Sequence, residues 1–157
     1  MADKTVKIGK KVPDFSLPAT GGKAWKPSAA AGRKLVIYFY PKDNTSGCTA
    51  EGVAFAGLHG SFRKAGAEIL GVSPYSVASH EKFKSKMGFP FELLSDEEHV
   101  ACRLFDVWKE KSMYGRKYMG VERSTFLIDE KGVLRREWRK VKVPGHADEV
   151  LAAVRDL

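Results

Sequence analysis

Leu35-Val36-Ile37-Tyr38-Phe39-Tyr40 is the longest apolar run in the chain, and Pro41-Lys42-Asp43-Asn44-Thr45-Ser46-Gly47 ends it abruptly. A continuous apolar run of strand length, bounded by a turn signal, is the mark of a central strand buried on both faces. The polar loop then meets Cys48, and from about Cys48 to Ala65 the pattern turns helical, with Phe55, Leu58 and Phe62 on one stripe. A buried strand, a polar loop and a helix in that order place Cys48 at the carboxyl end of a strand. In open α/β sheets such ends gather the reactive groups.

Outward from this point the segments alternate. Ala67–Ser73 reads as a second buried strand, Ser76–Met87 as a charged helix anchored by Val77 and Phe83, and Phe91–Leu94 as a short strand. Asp96–Phe105 reads as a short helix and Val107–Glu122 as a long basic loop. Ser124–Asp129 and Val133–Lys140 read as a hairpin across Glu130-Lys131-Gly132, and Ala147–Asp156 as a closing helix. Upstream, Phe15–Leu17 and the segment around Trp25 form an N-terminal hairpin turned by Gly21-Gly22. Early alternation demands parallel strands with crossover helices, and the late hairpin adds an antiparallel pair. The expected fold is α/β: a thioredoxin-like three-layer sandwich with a mixed central sheet, helices on both faces and an N-terminal hairpin. Residues 1–157 read as one such domain, with no internal repeat or linker.

Composition narrows the function classes. The 157 residues carry 27 Lys+Arg against 19 Asp+Glu, a net charge of +8, with 43% hydrophobic residues. That excludes a disordered chain and a disulfide-stapled miniature. The longest apolar run is far too short to cross a bilayer, and the charged stretch Met1–Lys11 has no apolar core behind it, so no export signal is expected. The expected compartment is the cytoplasm, with no membrane partner. The positive charges are spread along the chain apart from Arg135, Arg136, Arg139, Lys140 and Lys142. They read as a solvated surface, and no nucleic-acid partner is expected.

The two cysteines, Cys48 and Cys102, cannot form a framework. Free cysteine is most often a small buried hydrophobe, but the neighbours of Cys48 are glycine, serine and threonines. In the first turn of a helix, unpaired N–H groups and the macrodipole favour an anion, and a thiolate is the nucleophilic form of cysteine. Cys102 lies among Val100, Ala101, Leu104 and Phe105, and its simplest reading is a packed core residue. His99 and Cys102 are three apart, but two ligands do not make a metal site. His59, His80, His99 and His146 all read as surface residues, and no metal is expected.

Pro41, Thr45 and Cys48 match the P-x-x-x-T-x-x-C signature of the peroxiredoxins, and the wider string resembles the Q type, the bacterioferritin comigratory protein family. Gly9 with Val12-Pro13-Asp14-Phe15, the block Leu93-Leu94-Ser95-Asp96, and Arg123 in Glu122-Arg123-Ser124-Thr125-Phe126-Leu127-Ile128-Asp129 extend the resemblance over residues 9–155. The resemblance implies a thiol peroxidase for hydrogen peroxide and organic hydroperoxides, passing through a sulfenic acid at Cys48. It implies that Arg123 stabilises the thiolate and the leaving oxygen, that Thr45 hydrogen-bonds thiolate and peroxide, and that Pro41 shields the pocket. Glu51 would orient Arg123 or Thr45. No cofactor is expected. The partners implied are a peroxide and a thioredoxin, glutaredoxin or small-thiol reductant, and the family leans to monomers.

The sequence departs from that pattern in two ways. Ser46 stands where many members have proline. Where members carry a resolving cysteine, this chain has Val53, or Lys84 and Ser85 in the next helix, so only Cys102 is left for that role. An external thiol, and a one-cysteine mechanism, is the expectation. Two rival functions remain on the same fold. A thiol–disulfide oxidoreductase needs a C-x-x-C pair, and Glu51 stands at the second position. A basic interaction module would show salt-dependent binding. Gly52, Gly57 and Gly60 fall in the helix that starts at Cys48. They read equally as a weakness that lets its first turn unwind and as close helix–sheet packing.

Overall fold

The structure, a computed structural model, describes residues 5–157. The first four residues of the charged N-terminal stretch lie outside the described residues. Seven strands form one mixed sheet in the order β2-β1-β5-β4-β3-β8-β9. They are β1 (Leu17–Ala19), β2 (Lys23–Trp25), β3 (Lys34–Phe39), β4 (Ala67–Ser73), β5 (Glu92–Ser95), β8 (Ser124–Ile128) and β9 (Leu134–Trp138). Strands β3, β4 and β5 run parallel, and β8 enters antiparallel beside β3 with Phe39 opposite Ser124. The fold is the thioredoxin-like arrangement expected from the alternation.

Leu35 to Phe39 are all at most 1% exposed, because both faces of β3 are covered. Alternate side chains serve opposite cores. Leu35, Ile37 and Phe39 join Phe105, Phe126 and Ala101 on one side. Val36, Tyr38 and Tyr40 join Phe55, Phe62, Phe83 and Val150 on the other. Four helices crowd that second face: α1 (Ser46–Gly57), α2 (His59–Lys64), α3 (Val77–Met87) and α5 (His146–Arg155). On the first face, α4 (Val100–Leu104) and a 3-10 turn at Pro27–Ala30 pack together with Val6 and Phe15 of the N-terminal segment and with Val107 and Val121.

Four expectations need correction. The helix from Cys48 to Ala65 is two helices, broken at Leu58, whose N–H turns back to Phe55 O at 3.1 Å. The helix expected over Asp96–Phe105 is shorter, because the Asp96 carboxylate instead caps it from outside, accepting from the N–H groups of Val100 and Cys102 at 2.8 and 2.7 Å. The loop expected over Val107–Glu122 is a regular hairpin, β6 (Trp108–Met113) with β7 (Arg116–Val121), standing as its own two-stranded sheet. Its turn residues Tyr114 and Gly115 both have positive φ, 52° and 77°. That is the backbone of a two-residue hairpin turn, for which glycine is usual and tyrosine is not. Finally, His80 and His146 are buried, at 0% and 5% exposure.

Candidate active site

Strand β3 delivers Tyr40 to the sheet's carboxyl edge, the loop 41–45 crosses it, and α1 starts at Ser46. The first rung of α1 is the Thr49 N–H to Thr45 O bond at 2.8 Å, so the N–H groups of Ser46, Gly47 and Cys48 precede the ladder. Cys48 therefore sits where the helix presents its positive end, and it is 1% exposed. Because β8 pairs antiparallel with β3, Arg123, just before β8, arrives at the same edge. Its Nη2 donates to Cys48 Sγ at 3.4 Å and its Nη1 to Glu51 Oε1 at 2.5 Å. Gly47 makes room for this: a Cβ there would stand 3.2 Å from Arg123 Nη2.

Glu51 lies one turn beyond Cys48 and is 1% exposed. Burial pushes its carboxyl up to about 7, against the pull of the Arg123 charge. One carboxylate oxygen is held by Arg123, and Oε2 is buried without a partner. Burial also works against the charge on Arg123, but Glu51 and Cys48 beside it more than offset that and keep the guanidinium charged. Beneath them Tyr38 stacks on Phe55 at 4.8 Å, its phenol pushed up by burial and by the nearby Glu51 and Cys48. The site is thus a buried thiol with a fixed cation at one side and a helix start beneath it.

Of the residues singled out in the sequence, Cys48, Glu51 and Arg123 are brought into direct contact. Pro41 is half-buried in the loop. Thr45 occupies the N-cap position with extended backbone, but its hydroxyl donates to Lys42 O at 2.8 Å rather than to Cys48. Cys102 is on α4, 0% exposed, in the core on the other face of the sheet. Burial, then the Asp96 carboxylate, pushes its thiol far up, which leaves it inert as a nucleophile. Gly52 settles its own question: a Cβ there would fall 2.3 Å from Phe89 Cζ, so this glycine serves close packing. Gly57 and Gly60 face open space. Among the described residues, no three His, Cys, Asp or Glu side chains gather as a metal-holding group, and no helix is long and apolar enough to cross a membrane.

Sequence reasoning missed what holds the loop. Asp43 is buried, its Oδ1 accepting from the Tyr40 hydroxyl at 2.6 Å and its Oδ2 from the Ser79 hydroxyl at 2.7 Å. His80 Nδ1 lies 2.6 Å from the same Oδ2, and its Nε2 lies 3.0 Å from the Leu94 carbonyl. Both ring nitrogens thus face oxygen atoms, which fixes the ring between the loop and β5. Burial works against the charge on Asp43, but the hydrogen bonds from His80, Ser79 and Tyr40 outweigh it and hold the carboxyl below its ordinary range. The cluster ties the loop before α1 to α3 and β5. A signal was present: His80 shares the stripe of Val77, Phe83 and Met87 at helical spacing. His146 is likewise held, its Nε2 2.7 Å from the Thr125 hydroxyl, and burial lowers it to about 4.

Comparison with known proteins fits this geometry. Residues 8–137 match the AhpC/TSA family. Peroxiredoxin Bcp of Xanthomonas campestris pv. campestris is 52% identical over 155 residues, covering 99% of this chain and 97% of that protein. Peroxiredoxin Bcp of Bacillus subtilis is 50% identical, covering 98% of each. A structure of the Xanthomonas campestris bacterioferritin comigratory protein, from a study of its alkyl peroxide reduction activity, is 51% identical and superimposes with a TM-score of 0.89 over 98% of both chains. The chain belongs to the AhpC/TSA family, on its peroxiredoxin Q or Bcp branch. Its activity is that of a thiol-dependent peroxidase.

Proposed function

We propose that Cys48 is the peroxidatic thiolate and that the chain, one domain acting as a monomer in the cytoplasm, works by a one-cysteine mechanism on hydrogen peroxide and organic hydroperoxides. The observation that carries this reading is the Arg123 guanidinium, held by Glu51 on one nitrogen and donating to Cys48 Sγ at 3.4 Å on the other. Sγ attacks the terminal oxygen of the peroxide. An S–O bond forms as the O–O bond breaks, and the departing oxygen leaves as an alkoxide or hydroxide that takes a proton to become alcohol or water. Cys48 is left as the sulfenic acid. Arg123 and the first N–H groups of α1 stand where negative charge moves during that exchange, so they lower its barrier. Pro41 contributes no N–H and keeps the loop rigid. Thr45 is in position to turn its hydroxyl from Lys42 to a bound peroxide.

Cys102 does not close the cycle on this reading, because the sheet lies between the two thiols and a disulfide needs Cα atoms within about 7 Å. An external thiol attacks the sulfenic sulfur, releasing water and forming a mixed disulfide, which a second thiol resolves. The same separation argues against a thiol–disulfide oxidoreductase.

The experiment is intact-mass analysis after one equivalent of peroxide, together with turnover of Cys48→Ser and Cys102→Ala. The expected result is a gain of oxygen at Cys48, no turnover in Cys48→Ser, and most turnover kept in Cys102→Ala. An internal Cys48–Cys102 disulfide, with turnover lost in Cys102→Ala, overturns the one-cysteine mechanism.

A further inference from the structure

The β6–β7 hairpin is the largest piece of regular structure that the peroxide chemistry leaves unused. It is not hydrogen-bonded to the main sheet. It carries four of the eight large apolar side chains exposed among the described residues: Met113 at 56%, Tyr114 at 98%, Tyr118 at 44% and Met119 at 49%. Single exposed apolar residues need no explanation, but a concentration of them on one element does. Methionine and tyrosine are also the types that contact surfaces favour, the one for adaptable packing and the other for broad, rigid area.

Its charge is one-sided as well. Lys109, Lys111, Arg116 and Lys117 stand against a single acid, Glu110. Lys109 pairs outside the hairpin with Asp106 at 3.0 Å. Lys111, Arg116 and Lys117 make no ion pair among the described residues. Directly opposed residues share a face of an antiparallel pair, so the register Lys111–Tyr118 and Met113–Arg116 puts two cations, a tyrosine and a methionine together. That face meets the active site. The Lys111 stem runs over Gly120, whose added Cβ would be 3.3 Å from Lys111 Cδ, and Arg123 follows the end of β7 by two residues. Lys111 is lowered by burial and then by the Arg123 charge, with Cys48 pulling the other way, so its ammonium lies in the field of both. From the Tyr114 tip to Arg123 the strand spans at most about 30 Å at ~3.3 Å per residue. That is roughly the width of the ~800 Å² a standard interface covers on each partner.

We propose that the β6–β7 hairpin is the docking surface for the protein reductant of Cys48, a dithiol protein whose thiol is set in an acidic face with apolar contacts. The proposal rests on the one-cysteine reading above. A small thiol needs no docking surface, whereas a protein thiol does, and a basic, aromatic-tipped element beside the site supplies one. The acidic character follows from charge complementarity, which acts mainly on association rate and on choice of partner. In the docked pair the partner's first thiol attacks the Cys48 sulfenic acid. Water leaves, an intermolecular disulfide forms, and the partner's second thiol then breaks it. Cys48 returns to the thiol and the partner holds the disulfide.

The experiment is steady-state peroxidase turnover with two probes, bacterial thioredoxin kept reduced by its reductase and NADPH, and dithiothreitol. Wild type is compared with the triple variant Met113→Glu, Tyr114→Ala, Arg116→Glu. The expected result is a fall of about tenfold in kcat/KM for thioredoxin, carried by KM, with dithiothreitol turnover unchanged. Wild-type turnover with thioredoxin is also expected to fall as salt rises, and the variant to lose that dependence. Equal loss with both probes, no loss with either, or a wild type that dithiothreitol supports and thioredoxin does not, overturns the proposal. So does a wild-type dimer that the triple variant dissociates, which would assign the hairpin to self-association. A wild type inactive with both probes overturns the reading of Cys48 instead.

Discussion

Asp43→Asn tests whether a buried carboxylate and the three side chains that hydrogen-bond to it hold the loop before α1. The carboxylate takes hydrogen bonds from Tyr40, Ser79 and His80 at 2.6 to 2.7 Å, with side-chain exposure of 4% for Asp43 and 0% for His80. The amide keeps the shape but loses the charge, and it offers an N–H₂ group where two donors now point. Removing one partner of a buried pair leaves the other uncompensated, at a cost of about 3–5 kcal/mol. A urea slope of about 2 kcal/mol per M turns this into a midpoint about 2 M lower near neutral pH. The assay is urea unfolding followed by tryptophan fluorescence. Because the Asp43 carboxyl lies below its ordinary range, its contribution is present above the unfolded value and is lost as pH falls through the folded one. The gap between wild type and variant therefore closes in acid, below about pH 4. A midpoint within about 0.3 M of wild type near neutral pH, or a gap that widens in acid, would refute the reasoning.

Three further outcomes follow from the site. Arg123→Met removes a donor aimed at the Cys48 sulfur and, on the reading proposed for Cys48, should slow peroxide reduction by about 10²–10³, with slower alkylation of Cys48 at neutral pH, by analogy with lost oxyanion donors; wild-type rates would show that the 3.4 Å contact carries no function. Glu51 is raised from its ordinary value to about 7, so its contribution is present below about pH 4.5 and lost as pH rises through about 7. Urea midpoints should therefore fall more steeply for wild type than for Glu51→Gln between about pH 5 and about pH 8, and parallel slopes would count against it. Gly52→Ala gains about 1 kcal/mol of helix propensity but drives a methyl to 2.3 Å from Phe89 Cζ, so a net loss of about 1–2 kcal/mol is expected; a higher thermal midpoint would mean that Phe89 moves aside freely.

The β3 run was legible because burial on both faces leaves no polar position to confuse it, and Cys48 was legible because loop and helix composition change sharply around it. Arg123 was legible only through its block, since nothing local distinguishes a base at a strand start. The β6–β7 hairpin was not, for a physical reason. Apart from Val121 its side chains are exposed or only half-buried, so the strands show no strict alternation of apolar and polar residues, and its turn uses Tyr114 where asparagine or aspartate would have given the signal. Asp43 was hidden by looking like any acid in a polar turn. Its buried role depends on His80, thirty-seven residues away in the chain, and pairing across such a distance leaves no periodic trace.

The placement of the two cysteines on opposite faces of the sheet makes the chain its own reporter of motion. Cys48 lies in the first turn of a helix, where fraying of a few residues uncovers it, whereas Cys102 is enclosed by Phe105, Ala101 and the underside of β3. Local and global openings have different free energies. A thiol-blocking reagent applied to the resting protein would therefore keep two clocks. One reads local opening of the first turn of α1 together with the reactivity of the Cys48 thiol, and the other reads the larger opening that parts α4 from β3.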